Sequence, residues 1–334
     1  MIGIATMNTD SLIRRLDRSA DRARLEIAGK DRAAFLHNLA TNEVKKLAPG
    51  TGREAFVTTI QGKTLAYIQL HVAPDSILVR TDRGSLELLL PHFQKYAIFS
   101  DITINDLQES FFEYHLLGER AFEVFSFEAP APAEPYSIAA GRIDEISVRV
   151  IRESPTGRLG ATVIGRADDR SAFLKALEQA CSTRGIEPTP LDAAEFNAMR
   201  IAAGTPVSGV DVNPDNLPQE LGRDQTAISF TKGCYLGQET VARLDSMGHV
   251  NKILRVVVFD VIDRPLPVGT VLLAEGKTAG TITSAEFSKE HNRVIALGYL
   301  KMNYALDGTI VTATLDGATI TASVRIPPLQ TAAR

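Results

Sequence analysis

Apolar positions along the chain recur at helical spacing in a few short stretches and alternate with polar ones in others, and the predicted elements follow that change of period. Phe35, Leu36, Leu39 and Val44 follow Asp31, which predicts a helix capped by that aspartate and stopped by Pro49-Gly50. Residues 56–72, interrupted by Gln61-Gly62-Lys63, predict two strands around a turn. Further strands are predicted at 77–81 and 102–107, with a helix at 85–96 that Pro91 breaks or kinks. Residues 128–136, with Pro130, Pro132 and Pro135, read as a linker or long loop.

Strands at about 145–152 and 160–164 then lead to a helix over 171–184, closed by Gly185. Phe173, Leu177 and Cys181 fall on one face of it, which places Cys181 in a core. Thr189, Pro190 and Asp192 predict a helix start with Thr189 as N-cap; the helix carries Leu191, Ala194 and Met199 and ends at Gly204. From there to Phe230 turn formers dominate, and an irregular stretch of that length in a compact domain points to function. After Val250 the period is two, with strands at 253–261, 271–274, 280–284, 294–300, 310–315 and 319–326 and a hairpin signal at Asp316-Gly317. Six short strands so spaced predict a small β-barrel or sandwich at the C-terminal end.

With 334 residues, two or three domains are expected, and 44% hydrophobic and 23% charged residues place the chain in the ordinary globular class. The net charge of -4 argues against a protein-wide footprint for nucleic acid. Cys181 and Cys234 form no CxxC pair, so no disulfide framework is expected, and two thiols do not supply the four that usually hold an iron-sulfur cluster. The first thirty residues are dense in Arg and Asp, which predicts neither a secretory signal nor a membrane anchor. The six histidines show no metal-ligand spacing and read as structural or surface residues.

The densest chemistry lies in Lys232-Gly233-Cys234-Tyr235-Leu236-Gly237-Gln238-Glu239. Two glycines there allow a tight turn or close approach to a ligand, which exposes the thiol, and Lys232 beside it would favour the thiolate. The plainer reading makes Cys234 a small buried hydrophobe.

This octapeptide, Phe35-Leu36-His37-Asn38-Leu39 with Thr41-Asn42-Glu43-Val44, residues 200–211, Pro218-Gln219-Glu220-Leu221, Arg243, Gly280-Thr281-Ile282-Thr283-Ser284 and Ile295-Ala296-Leu297-Gly298 occur in one order along the chain. In that order they resemble the folate-binding YgfZ family, relatives of the glycine-cleavage T-protein (aminomethyltransferase). The resemblance implies an α+β fold: a three-domain aminomethyltransferase-like cloverleaf with a C-terminal six-stranded β-barrel. Its parts would be residues 1–110 (an α+β folate-binding domain completed by 190–250), 111–189 (a ferredoxin-like α+β domain), 190–250 (the motif segment) and 251–334 (the barrel), the first two interleaved.

A central opening would hold tetrahydrofolate or a one-carbon derivative. Glu220 would take the pterin amino group and ring N–H as a bidentate pair. Lys232, Gly233, Tyr235, Gly237, Gln238 and Glu239 would line the ligand, and Arg243 would face the benzoyl-glutamate side or pair with Glu239. Asn42 and Asp211 are further site candidates, also compatible with ordinary capping.

The resemblance further implies an accessory protein for assembly or repair of iron-sulfur enzymes, including a tRNA-modifying one, with Cys234 as a reactive thiol. Iron-sulfur client or assembly proteins would be its partners, no direct nucleic-acid or membrane contact is expected, and the location would be cytoplasmic, or the mitochondrial matrix in a eukaryote. The chain departs from the transferases at Gly62-Lys63-Thr64-Leu65-Ala66-Tyr67, where their catalytic aspartate has no counterpart. Tetrahydrofolate-dependent aminomethyl or one-carbon transfer is the alternative. An RNA-interacting module lacks the basic and aromatic repeat it would need.

Overall fold

Three sheets, each with its own apolar core, make up the molecule; the computed structural model describes residues 12–260 and 262–328. The predicted start of the chain and Val261, the last residue of a predicted strand, lie outside the described residues. The strands are β1 (Leu12–Asp17), β2 (Arg22–Ala28), β3 (Gly52–Thr58), β4 (Thr64–Val72), β5 (Ser76–Asp82), β6 (Thr103–Asp106), β7 (Phe111–Leu117), β8 (Ser126–Phe127) and β9 (Ile138–Ile143). They continue as β10 (Ile146–Arg152), β11 (Gly160–Arg166), β12 (Glu187–Pro190), β13 (Lys252–Phe259), β14 (Val271–Ala274), β15 (Lys277–Ser288), β16 (Arg293–Lys301), β17 (Ile310–Leu315) and β18 (Ala318–Arg325). The helices are α1 (Arg32–Leu39), α2 (Leu86–Ala97), α3 (Arg170–Thr183), α4 (Ala193–Ala203), α5 (Asp224–Ala227) and α6 (Gln238–Met247).

The first sheet has the order β3-β4-β5-β2-β6. Strand alternation gives it two different faces. Leu25, Ile27, Ala55, Val57, Ile68, Leu70 and Val79 point one way and pack with Phe35, Leu36, Leu39, Leu89 and Phe93 of α1 and α2. The residues between them, Arg24, Glu54, Tyr67, Gln69, His71, Arg80 and Asp82, are also buried. A buried polar face needs a partner for every group, and part of that partnership comes from the second sheet, from Glu113 of β7 and Glu153 just after β10.

The second sheet runs β12-β1-β7-β11-β10-β9-β8, so β1 crosses over to lie between β7 and a parallel β12. Phe112, Val150, Val163, Phe173, Leu177 and Cys181 form its core with α3, as the helical spacing of the last three predicts. The six C-terminal strands close into a barrel, β13-β16-β15-β14-β17-β18, and Asp316 and Gly317 at its last hairpin both have positive φ, 50° and 80°, as a type I′ turn requires.

Three local expectations are corrected. The first helix ends at Leu39, leaving Val44 as a buried turn residue, and Asp31 accepts from the Asp101 N–H at 2.8 Å rather than capping α1. The helix carrying Pro91 is continuous, because the ring costs one hydrogen bond on an exposed face without displacing the packed Leu89 and Phe93. Thr189 pairs with Arg14 in the sheet, and Asp192 is the N-cap of α4, its carboxylate accepting from the Ala194 N–H at 2.8 Å.

Candidate functional site

The polar face of the first sheet, the loops of the second and α4 enclose a cavity of about 230 Å³. Glu54 of β3 sits on its wall, 1% exposed, between Arg223 and two phenols. Arg223 donates through Nε at 3.1 Å to Oε1, and the hydroxyls of Tyr67 and Tyr136 both donate to Oε2. Burial alone would raise the Glu54 carboxyl, but the guanidinium and these donors hold it below the usual carboxylate range. Burial pushes both phenols up, with the Glu54 charge adding to it.

Tyr136 ends the proline-rich loop with φ 64°, a left-handed conformation rare for an aromatic residue. Its N–H donates to the Arg152 carbonyl at 2.7 Å, and its carbonyl lies 2.8 Å from His71 Nδ1. Beside it, Arg22 bonds Asp82 and Gln69, and Arg80 bridges Glu113 and Glu153 at 2.5 and 2.7 Å. Two atoms of cavity-lining residues, Arg22 Nε and Thr205 Oγ1, are buried without a hydrogen-bond partner.

The residues singled out in the sequence lie elsewhere: none of the eleven lines this cavity. Asn42 spends its amide on backbone, donating to Glu54 O and Thr226 O at 2.9 and 2.7 Å and accepting from Glu43 N–H. Asp211 is fully buried and accepts from Arg200, Val207 N–H, Thr283 and Ser284, tying α4 and its following loop to the barrel. Glu220 accepts from the Leu217 N–H at 3.2 Å across a 3-10 turn, Pro218–Leu221, and stands 3.7 Å from Lys252.

The octapeptide forms a loop against α1. Leu236 N–H donates to Asn38 O, Thr58 donates to Leu236 O, and Tyr235 packs with Phe56, Tyr67, Leu221 and Val241. Gly237 has φ 81° and a side chain there would meet Thr59 O at 2.4 Å, so glycine is required; Gly233 has no such conformation. Gln238 closes the loop by accepting from the Tyr235 N–H at 3.3 Å. Glu239 and Arg243 are exposed on α6 and form no ion pair with each other among the described residues.

Cys234 is exposed, on an open groove of about 570 Å³ walled by α1, Tyr96, Ser100, Tyr235 and Leu236. The role expected of Lys232 is corrected. Its ammonium is buried and donates to three carbonyls at the end of α1, His37 at 2.5, Ala40 at 2.6 and Asn42 at 2.9 Å, which uses all three of its N–H bonds. Burial pushes that ammonium down to about 8.

Sequence reading missed Glu54, Arg223, Tyr136 and Arg22. The available signal was the alternation of charged and amide groups with Ile and Leu in β2, β4 and β5, which ordinarily marks a solvent-facing side. Among the described residues, no helix is long and apolar enough to cross a membrane.

Two family models match the chain: the GCVT N-terminal domain over residues 19–232 and the glycine cleavage T-protein C-terminal barrel domain over residues 255–329. A putative chloroplastic transferase of Arabidopsis thaliana is 25% identical over 309 residues, 90% of this chain and 68% of that protein. An aminomethyltransferase of Desulfitobacterium hafniense is 24% identical over 91% of this chain and 83% of its own length. The mitochondrial iron-sulfur cluster assembly factor IBA57 of Mus musculus is 27% identical over 79% and 73%. The crystal structure of the glycine cleavage system aminomethyltransferase T from Bartonella henselae superposes with a TM-score of 0.78 at 18% identity, covering 96% of this chain and 87% of that one. The fold is therefore aminomethyltransferase-like, with mixed α and β content and a closed six-stranded C-terminal barrel.

Proposed function

The chain belongs to the glycine cleavage T-protein family, and from that membership we propose that it is a reduced-folate-binding accessory protein of the YgfZ type. It supports assembly or repair of iron-sulfur enzymes, with tetrahydrofolate in the central cavity and Cys234 as a separate reactive thiol. The observation that carries the reading is the separation itself: a buried polar cavity in the middle of the fold, and an exposed cysteine on a different groove.

The residues around the cavity suit a pterin, whose edge alternates donors and acceptors. Glu54, Asp82 and Gln69 supply acceptors, Arg22 and Arg223 donors, and Tyr67, Tyr136 and Phe196 flat apolar surface. Among the described cavity-lining residues, Arg22 Nε and Thr205 Oγ1 are buried without a hydrogen bond, Arg22 Nε facing Glu113 at 3.8 Å. Arg18 and Arg152 on the same wall are cations for the carboxylates of a glutamate tail. The folate, when bound, supplies a carrier nitrogen for a one-carbon unit; these side chains orient it and exclude water. Glu220 is a cap in this reading rather than the pterin acceptor.

The transferase alternative is supported by the aminomethyltransferase relatives. It is weakened by the tight Gly62 turn between β3 and β4, where the chain offers Lys63 and Thr64 instead of an acid, and by Glu54, which is fixed in an ion pair.

Anaerobic calorimetry with tetrahydrofolate tests the assignment. Saturable binding is expected for wild type, Glu220→Gln and Cys234→Ala, with at least a tenfold loss in Arg22→Gln. No binding to wild type would overturn it, and amine-dependent formation of methylene-tetrahydrofolate would favour the transferase.

A further inference from the structure

Tetrahydrofolate is a fused two-ring pterin head joined to a benzoyl-glutamate tail, and the tail is the larger part. Pockets that hold a drug-sized ligand enclose about 300–1,000 Å³, whereas this cavity encloses about 230 Å³. That is room for the head and not for the whole molecule.

Burial divides the lining in the same way. Glu54, Tyr67, Gln69, Asp82, Arg22 and Arg223 are each more than nine-tenths buried and make the inner wall. Polar contacts made there act in a low dielectric, where they are strong. Arg18, Arg152 and Ser154, on the same lining, are half-buried or exposed.

Arg18 and Arg152 are the cations a glutamate tail would meet, and the fold already engages both. Arg18 stands 3.5 Å from Asp21 and 3.9 Å from Asp82, with its guanidinium 4.6 Å from the centre of the Phe196 ring. Arg152 has no carboxylate partner among the described residues, but its guanidinium lies over the ring of Phe122, 5.6 Å from the centre, and Phe122 does not line the cavity. A cation held over a ring has part of its attraction satisfied, and an ion pair formed in contact with water is worth little.

We infer that the cavity recognises the reduced pterin head and not the glutamate tail, so that its ligand class is the tetrahydropterins, with or without that tail. The inference rests on the reading of the cavity as a reduced-folate site. The inner wall then supplies the affinity, and the tail stays outside the enclosed space.

Anaerobic calorimetry on the full chain with tetrahydrofolate, 6-methyltetrahydropterin and p-aminobenzoyl-glutamate tests it. The tailless pterin should bind wild type within about tenfold of tetrahydrofolate, because the exposed ion pairs it lacks contribute little. It should compete with tetrahydrofolate and lose affinity in Arg22→Gln by the same factor, and p-aminobenzoyl-glutamate should not bind. Arg152→Gln should weaken tetrahydrofolate by less than about tenfold. Saturable tetrahydrofolate binding with the tailless pterin weaker by more than that factor overturns the inference and leaves the folate reading standing. A larger loss of tetrahydrofolate affinity in Arg152→Gln, with the tailless pterin unaffected, does the same. No binding of tetrahydrofolate to wild type overturns the folate reading, and the inference with it. The wild-type comparison needs no variant, so a misfolded Arg152→Gln leaves the inference open to refutation.

Discussion

Asp211 was marked from sequence as a ligand residue, and its surroundings predict a different phenotype. Its carboxylate is fully buried and takes four donors: Arg200 at 2.8 Å, Val207 N–H at 2.9 Å, Ser284 at 2.7 Å and Thr283. Its carbonyl accepts from Tyr299 of β16 at 2.8 Å. Replacing it with alanine strands the Arg200 guanidinium, which is 6% exposed, inside the protein. Breaking a buried pair on one side costs about 3–5 kcal/mol, chiefly because the surviving charge loses its partner. With an unfolding entropy of about 2.1 cal/mol/K per residue, the 334-residue chain should lose about 4–7 °C in melting temperature.

The chain has no Trp, so far-UV circular dichroism and scanning calorimetry are the assays. A compensated pair, Asp211→Leu with Arg200→Met, should recover most of the loss, since an apolar replacement of both partners is often neutral. A melting temperature within about 1 °C of wild type for Asp211→Ala would refute this reasoning. If tetrahydrofolate affinity fell at the same time, a ligand contact would stand in its place.

Acid should destabilise the protein through its buried histidines, opposed by one proton at Asp224, whose carboxyl burial raises to about 7. Burial lowers the pKa of His71 to about 3 and of His115 to about 4, below the 6.5 of an exposed histidine. The unfolded chain therefore binds more protons between those values, and stability falls as pH drops from 6.5 towards 3–4. Urea midpoints across that range should fall in wild type and less steeply in His115→Gln; parallel curves would count against it. Gly237→Ala places a methyl 2.4 Å from Thr59 O at φ 81°, so it should loosen the octapeptide, read as faster hydrogen exchange at residues 233–238 with little change in the barrel. Unaltered exchange there would show that the loop does not depend on this turn.

The strand and helix periods were enough to place the six C-terminal strands of a barrel or sandwich, the Asp316-Gly317 hairpin and the α3 face bearing Phe173, Leu177 and Cys181, because each depends on neighbours a few residues apart. The octapeptide was legible too, since its glycines and thiol are adjacent in the chain. Sequence could not say that Lys232 would turn inward onto the carbonyl of His37, 195 positions before it. Nor could it show that the charged side of β2, β4 and β5 is buried. A period of two looks the same whether the polar side meets water or another sheet's charges. Which of these holds is decided by Glu113 of β7 and Glu153 after β10 pairing with the arginines of that face, and only the tertiary structure brings those residues together.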